Sequence, residues 1–297
     1  MKVDWVAADW GSTNLRCWAM SESDKILDFA HSDRGMKSIV ATGGDFESAL
    51  LDLIRPWLEP GRKMPVAACG MVGAKQGWIE APYSVAPCSP TTQRYQAPTH
   101  SHEIEVWIHG GIQQPKPADV MRGEETQIAG LLAEGPDYEG LVCLPGTHTK
   151  WVTVSQGKIQ RFRTYLTGEV FALLSEQSVL KLTLASEGWD RAAFLEGFQS
   201  TLERPETLLS ECFGLRAEAL LNDLEGVVAR SRLSGFLLGH EISGVTKEGP
   251  KIEAVTLVAA DSLMEIYEAA LDSIWIYVRT FSTESAILGG LAKGRNT

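Results

Sequence analysis

The sequence predicts an α/β protein of two domains, each a mixed sheet flanked by helices, with a cleft between them. Three observations carry that expectation. A unit of apolar strand, Gly-hydroxyl turn and Trp-bearing return strand occurs twice, at residues 5–31 and 141–163. Strand-like and helix-like periodicities alternate along the rest of the chain, as they do in α/β architectures. The length, 297 residues, is enough for two domains of ordinary size.

The first unit opens with Trp5-Val6-Ala7-Ala8-Asp9-Trp10, turns through Gly11-Ser12-Thr13-Asn14 and returns as Leu15-Arg16-Cys17-Trp18. A polar turn from Ser21 to Lys25 leads to a third strand, Ile26 to His31. Phe46, Leu50, Leu53, Ile54 and Trp57 then fall at helical spacing. Pro65 to Gly70 reads as a short buried strand running into Gly70-Met71-Val72-Gly73. Residues 77–117 are rich in Pro, Ser, Thr and Gln, which predicts loops and short strands, with Trp107 to Ile112 as a strand and turn. A helix opens at Met121-Arg122-Gly123-Glu124-Glu125-Thr126-Gln127 and runs through Leu131 and Leu132. Gly135-Pro136-Asp137 ends it, which sets the expected domains at 1–137 and 138–297.

The second unit has the strand Leu141 to Leu144, the turn Pro145-Gly146-Thr147-His148 and the return Thr149-Lys150-Trp151-Val152, with Ile159 to Arg163 as third strand. Thr167-Gly168-Glu169 opens a helical stretch with an apolar stripe through Phe171, Leu174, Val179 and Leu182. Residues 190–245 are helical by pattern, Thr256 to Ala260 is an apolar strand, Trp275 to Val278 a further strand and Glu284 to Lys293 a final helix.

Composition narrows the function. A formal charge of −11 argues against a nucleic-acid partner, because a phosphate backbone needs a basic face. The five cysteines form no Cys-x-x-Cys pair, so neither a zinc site nor a disulfide framework is expected, and the chain reads as cytoplasmic. No apolar run reaches the roughly 18 residues that span a bilayer, and no signal-peptide layout precedes the first strand. The partner left is a small molecule, with a homodimer as the default assembly.

Several groups then stand out for their chemistry. Gly11 allows a tight turn whose amides point at phosphate oxygens, with Ser12, Thr13 and Asn14 adding polar groups. Asp9 at the strand end suits magnesium held through water, since magnesium takes only one or two carboxylates. Gly146, Thr147 and Lys150 are the counterparts in the second turn. Glu124 and Glu125 sit where a helix begins, a place that favours carboxylates as caps and also suits a general base, with Glu125 the preferred base. Arg122 and Arg16 are candidates for a substrate carboxylate. Gly70, Met71, Val72, Gly73 and Trp78 suggest a substrate wall. Two turns of this kind gripping a polyphosphate from both sides are the arrangement of an actin-like, ribonuclease H-like ATPase fold.

These motifs, in this order, resemble the 2-dehydro-3-deoxygalactonokinases, a family of the sugar kinase, Hsp70 and actin superfamily. The resemblance rests on Asp9-Trp10-Gly11-Ser12-Thr13-Asn14-Leu15-Arg16, Gly70-Met71-Val72-Gly73 with Gly77-Trp78 and Ala81-Pro82-Tyr83, Met121 to Gln127, Pro145-Gly146-Thr147-His148 with Lys150-Trp151, and Thr167-Gly168-Glu169. It implies ATP and Mg2+ as cofactors, phosphorylation of the 6-hydroxyl of 2-dehydro-3-deoxy-D-galactonate, and a place in galactonate catabolism. It also implies a substrate-facing insert in the N-terminal domain and a nucleotide site in the C-terminal one.

One departure stands against it. The family has Gly after Leu-Val-Ala, where this chain has Ala260 followed by Asp261, so a Cβ is expected to crowd the nucleotide or to resist a positive φ. Gly289-Gly290 are the expected source of compensating room. An exopolyphosphatase-like phosphohydrolase, which shares a Gly-Glu-Glu segment, and a non-catalytic nucleotide-switched actin-like protein are the alternatives.

Overall fold

The computed structural model describes residues 2–247 and 251–295. They fall into two compact units, one of residues 1–139, 153–162 and 282–297, the other of 140–152 and 163–281.

The first unit begins with the three antiparallel strands β1 (Trp5–Trp10), β2 (Leu15–Met20) and β3 (Ile26–Ser32). The short helix α1 (Met36–Thr42), which lacks a side-chain cap and breaks no obvious pattern, follows. Asp45 then caps α2 (Phe46–Ile54) by accepting from the Glu47 and Ser48 amides, and a 3-10 turn at Arg55–Trp57 closes the predicted helix. β4 (Met64–Gly70) runs parallel to β1. The Pro-rich stretch resolves into β5 (Tyr83–Val85), β6 (Arg94–Gln96), β7 (Ile104–His109), β8 (Gly111–Pro115) and β9 (Ala118–Met121), before α3 (Glu124–Glu134). The main sheet has the order β3-β2-β1-β4-β7-β6, and β5-β8-β9 form a small second one. The sheet is mixed, as expected, since β1 pairs antiparallel with β2 and parallel with β4.

Alternation along β1 distributes the core. Val6, Ala8 and Trp10 pack with Leu50 and Ile54 of α2 on one face, while Trp5 and Ala7 join Trp18, Ala67 and Cys69 on the other.

The second unit continues from β10 (Gly140–Leu144) through β11 (Thr149–Ser155) and β12 (Lys158–Tyr165). The far parts of β11 and β12 belong with the first unit, where Ile159 bridges Cys88 and the Phe162 amide donates to Gln114 Oε1 at 3.0 Å. Helices α4 (Thr167–Gln177), α5 (Arg191–Glu203), α6 (Leu208–Leu221) and α7 (Gly226–Thr246) follow, then β13 (Ala254–Ala259), α8 (Asp261–Ser273) and β14 (Tyr277–Ser282). The sheet order is β12-β11-β10-β13-β14, with β10 and β13 parallel. Its core joins Cys143, Trp151 and Leu257 to Phe194, Phe198, Leu238 and Ile242. α5 and α7 approach closely because a Cβ at Gly235 or Gly239 would lie 2.1 and 2.2 Å from the carbonyls of Phe194 and Phe198.

Three local expectations shift. The stripe expected from Phe171 to Leu182 ends with α4, and Leu182 lies in a following 3-10 turn. The strand expected at Trp275 starts two residues later, because Trp275 sits in a turn at φ 62°. The last helix, α9 (Thr283–Arg295), packs its Ile287, Leu288 and Leu291 against Trp5, Ala7, Trp18, Ala67 and Cys69 in the first unit. Room for a nucleotide at Gly290 is not what that glycine supplies: a Cβ there would fall 1.9 Å from the Thr126 carbonyl of α3. Gly130 of α3 makes the reciprocal approach, 1.9 Å from the Ala286 carbonyl.

Candidate active site

In the first unit, the end of β1, the end of β4 and the start of α3 meet. The parallel register sets Asp9 beside Cys69 and Trp10 beside Gly70. Gly70 has φ 90°, and a Cβ there would be 2.7 Å from the Trp10 carbonyl. Gly123, at φ 106°, places its own missing Cβ 3.3 Å from Gly70 Cα. Only glycine meets both demands, a left-handed backbone and close approach. The two glycines thereby bring the head of α3 onto the strand ends.

Glu124 and Glu125 each bend back to cap that helix. Glu124 Oε2 accepts from the Arg122 amide at 2.9 Å. Both oxygens of Glu125 accept from the Gly123 amide, at 2.9 and 2.8 Å, and Thr126 Oγ1 donates to Oε1 at 3.2 Å. Glu125 is fully buried. Burial, with the Glu124 charge second, pushes its carboxyl up to about 7 against these hydrogen bonds. The carboxylate is therefore poised to take and release a proton near neutral pH.

The antiparallel register places Arg16 directly opposite Asp9, and the two side chains form an ion pair, with Arg16 Nε donating to Asp9 Oδ2 at 3.1 Å. Cys69 Sγ lies 3.9 Å from Asp9 Oδ1. The turn from Gly11 to Asn14 is pinned from behind by α1: the amides of Gly35, Met36 and Lys37 donate to the carbonyls of Thr13, Gly11 and Ser12. Ser12 is half-buried, and Thr13 and Asn14 are exposed.

Arg122 is anchored at one end. Its Nη2 donates to the Ala81 carbonyl at 2.7 Å and its guanidinium lies 4.3 Å over the Tyr83 ring. Nε and Nη1 are buried with no protein partner. Gly73 makes the space for this group, since a Cβ there would be 2.9 Å from Nη1. The Gly-Met-Val-Gly segment thus seats protein groups, with Val72 wholly in the core and Met71 half-buried. Trp78 donates to the Pro98 carbonyl at 3.1 Å and packs edge-on to Trp10 at 6.2 Å.

The second unit has a cavity of its own, of about 520 Å³, lined by Gly146, Thr167, Gly168, Phe171, Trp189 and Arg230, among others. The Arg230 guanidinium lies 4.9 Å over the Phe171 ring, and the Trp189 indole N–H is buried without a partner. Gly168 backs directly onto the second turn, where a Cβ would sit 2.3 Å from the Gly146 carbonyl, and the Glu169 amide donates to the Thr147 carbonyl at 2.9 Å. His148 and Glu169 side chains meet at 2.5 Å on the surface. Lys150 lies on β11, buried, with Nζ donating to Thr164 Oγ1 at 2.8 Å. Ala260 precedes α8 at φ −77°, ψ 154°, an ordinary extended conformation, so its Cβ causes no backbone strain. Asp261 falls in the first turn of α8, where the helix dipole favours a carboxylate.

The family model for 2-keto-3-deoxy-galactonokinase matches residues 9–293, a span that takes in the site of the first unit and the cavity of the second. The chain belongs to the 2-keto-3-deoxy-galactonokinase family. Membership places it among the sugar-acid kinases, which are phosphotransferases. It is 33% identical over 293 residues to the 2-dehydro-3-deoxygalactonokinase of Escherichia coli (strain K12), covering 98% of this chain and 97% of that protein. It is 32% identical over 294 residues to a probable 2-dehydro-3-deoxygalactonokinase of Rhizobium meliloti (strain 1021), covering 97% and 95%. The crystal structure of a candidate 2-dehydro-3-deoxygalactonokinase from Sinorhizobium meliloti superposes with a TM-score of 0.91 at 32% identity, covering 98% of each chain. The activator of the 2-hydroxyisocaproyl-CoA dehydratase from Clostridium difficile, solved with bound ADPNP, shares the fold at TM-score 0.52 and 12% identity, over 98% and 94% of the chains. Among the described residues no helix is long and apolar enough to cross a membrane.

Sequence reasoning missed the second unit's cavity wall. Phe171 was visible as part of an apolar stripe, but Trp189 and Arg230 carry no local motif and come together only where the segment leading into α5 meets α4 and α7.

Proposed function

We propose that this chain transfers the γ-phosphoryl group of ATP to the 6-hydroxyl of 2-dehydro-3-deoxy-D-galactonate, in the cytoplasm, as a step of galactonate catabolism. The observation that carries the reading is Glu125: a buried carboxylate held by the Gly123 amide and pushed up to about 7. A primary alcohol attacks a phosphorus only as its proton departs, and a base poised near neutral pH accepts that proton.

The partnerless Nε and Nη1 of Arg122 leave donors for the carboxylate of a sugar acid, one oxygen at a time because the two N–H groups point apart. Anchoring Nη2 and stacking the guanidinium on Tyr83 fixes the group before substrate arrives, so little further ordering is needed on binding. Arg16 acts on Asp9 in this reading and holds its Oδ2 side in place. Asp9 fits magnesium of the kind that arrives with nucleotide phosphates: the described residues include no cluster of three or more His, Cys, Asp or Glu side chains for a self-sufficient site, and magnesium commonly keeps its waters and one carboxylate. Asp9 would hold that magnesium through water, and the ion would supply positive charge against the phosphates.

The cavity of the second unit suits the nucleoside, with an aromatic and cationic lining and an indole N–H that lacks an acceptor. The turns at Gly11 to Asn14 and Pro145 to His148 supply backbone amides for phosphate oxygens.

A coupled ADP-release assay with magnesium-ATP tests the reading. ADP release that depends on 2-dehydro-3-deoxy-D-galactonate is the expected result, and the same assay with its gluco epimer ranks the two. Release without any sugar acid would mean a phosphohydrolase instead, and no release at all would mean a nucleotide-switched binding protein.

A further inference from the structure

The second unit seals one more carboxylate in its interior. Glu241, on α7, is 1% exposed. Trp151 Nε1 donates to its Oε1 at 2.8 Å, the Tyr267 hydroxyl donates to Oε1 and Oε2 at 3.1 and 3.3 Å, and Thr167 Oγ1 donates to Oε2. The single Tyr267 proton is committed to Glu241, so Thr149 Oγ1, 2.8 Å away, is the donor in its bond to Tyr267. A carboxylate without water is costly, and here burial pushes it up to about 7 despite these donors. Packing does not demand it, because a leucine would fill a similar volume.

What the arrangement gains is connection. The donors come from three separate elements, β11, the start of α4 and α8. Two of those elements bracket the turn from Pro145 to His148. β11 leaves the turn at Thr149, and Thr167-Gly168-Glu169 backs it through the Gly168 approach and the Glu169 amide. Thr167 and Tyr267 also line the 520 Å³ cavity, together with Ser234 and Leu238 from the helix that carries Glu241.

We propose that Glu241 is a positioning residue for the nucleotide: by clasping Trp151, Thr167 and Tyr267 it fixes the phosphate-facing turn relative to the wall of the nucleoside cavity. The inference rests on the nucleotide reading of that cavity. A nucleotide spans both features, so its affinity depends on their spacing, whereas the sugar acid meets neither.

The test compares wild type, Glu241→Gln and Glu241→Ala by calorimetric titration with magnesium-ADP, alongside the KM for the sugar acid. A glutamine keeps an acceptor for Trp151 and Tyr267 and turns its amide towards the Thr167 oxygen, so the ADP Kd stays within about threefold of wild type. Alanine strands three donors and releases the clasp, so the ADP Kd rises at least about tenfold while the sugar-acid KM stays within about twofold. An unchanged ADP Kd in Glu241→Ala would overturn the inference, as would a parallel rise in both constants, which marks general loosening. If Glu241→Ala fails to fold, Tyr267→Phe and Thr167→Val each remove one arm, and both must weaken ADP binding for the inference to stand. Failure of wild type to bind ADP would overturn the nucleotide reading itself, a result distinct from ADP binding that the variants leave intact.

Discussion

Replacing Glu125 by glutamine separates a base from a helix cap. The carboxyl ordinarily titrates at 4.5 and is pushed to about 7 by burial first and by the Glu124 charge second. Between those values the folded protein keeps a proton that the unfolded chain has released, so its stability falls as pH rises through that window. Carried to pH values above 7, the ionised form costs the fold about 3 kcal/mol. Glutamine carries no charge and still offers one oxygen to the Gly123 amide, so it loses part of a charge-assisted hydrogen bond in exchange. Glu125→Gln should therefore be more stable than wild type by about 1–3 kcal/mol at about pH 8, with the difference vanishing near about pH 4. Glu241 titrates in the same direction, but it is common to both proteins and cancels in the comparison. At the same time kcat should fall by at least about a hundredfold, with ADP affinity retained. Urea denaturation across pH, with steady-state kinetics on the same samples, reads both. If the variant is less stable than wild type at every pH, Glu125 is an ionised cap for α3 and the assignment as base is wrong.

Glu124→Gln removes the second cause of the Glu125 shift, so the acid limb of the pH–kcat profile should move to lower pH with kcat at high pH preserved; loss of activity at all pH values would make Glu124 the base. Arg122→Ala should raise the KM for the sugar acid by at least about tenfold, the worth of a charge-assisted bond, and leave the KM for ATP alone; equal changes in both would remove Arg122 from the carboxylate. Ala260→Gly should leave ADP affinity within about twofold, because Ala260 already holds an unstrained extended backbone; tighter binding in a titration would mean that the Cβ does crowd the nucleotide.

The two strand-turn-strand units were legible because strand alternation and Gly-hydroxyl turns are local signals, and the structure places strands at both. The head of α3 was legible as a carboxylate pair after glycine, but the reason for Gly70, Gly73 and Gly123 was not. Each glycine answers to a group far away in sequence, the Trp10 carbonyl, the Arg122 guanidinium and Gly70 itself. The Asp9–Arg16 pair had a signal that went unused: a four-residue turn fixes the register of the hairpin and sets those residues opposite each other. α1 was missed because it is only about two turns long with Gly35 in place of a polar cap. The small β5-β8-β9 sheet lies in a stretch whose prolines conceal strand periodicity. Glu241 left one clue, an acid one turn on from Leu237 and Leu238 and next to Ile242 on the apolar side of a long helix.

The seating of α9 has a bearing on how the protein is born. Residues 282–297 belong with residues 1–139, yet all of the second unit is translated between them. While a ribosome works through that interval, one face of the β1–β2–β4 sheet, with Trp5, Trp18 and Cys69, waits for Ile287, Leu288 and Leu291, and the groove at Gly130 waits for Ala286. The nascent unit that carries Glu125 is thus held unfinished longest, and its bare apolar face is a natural client for a chaperone until α9 emerges.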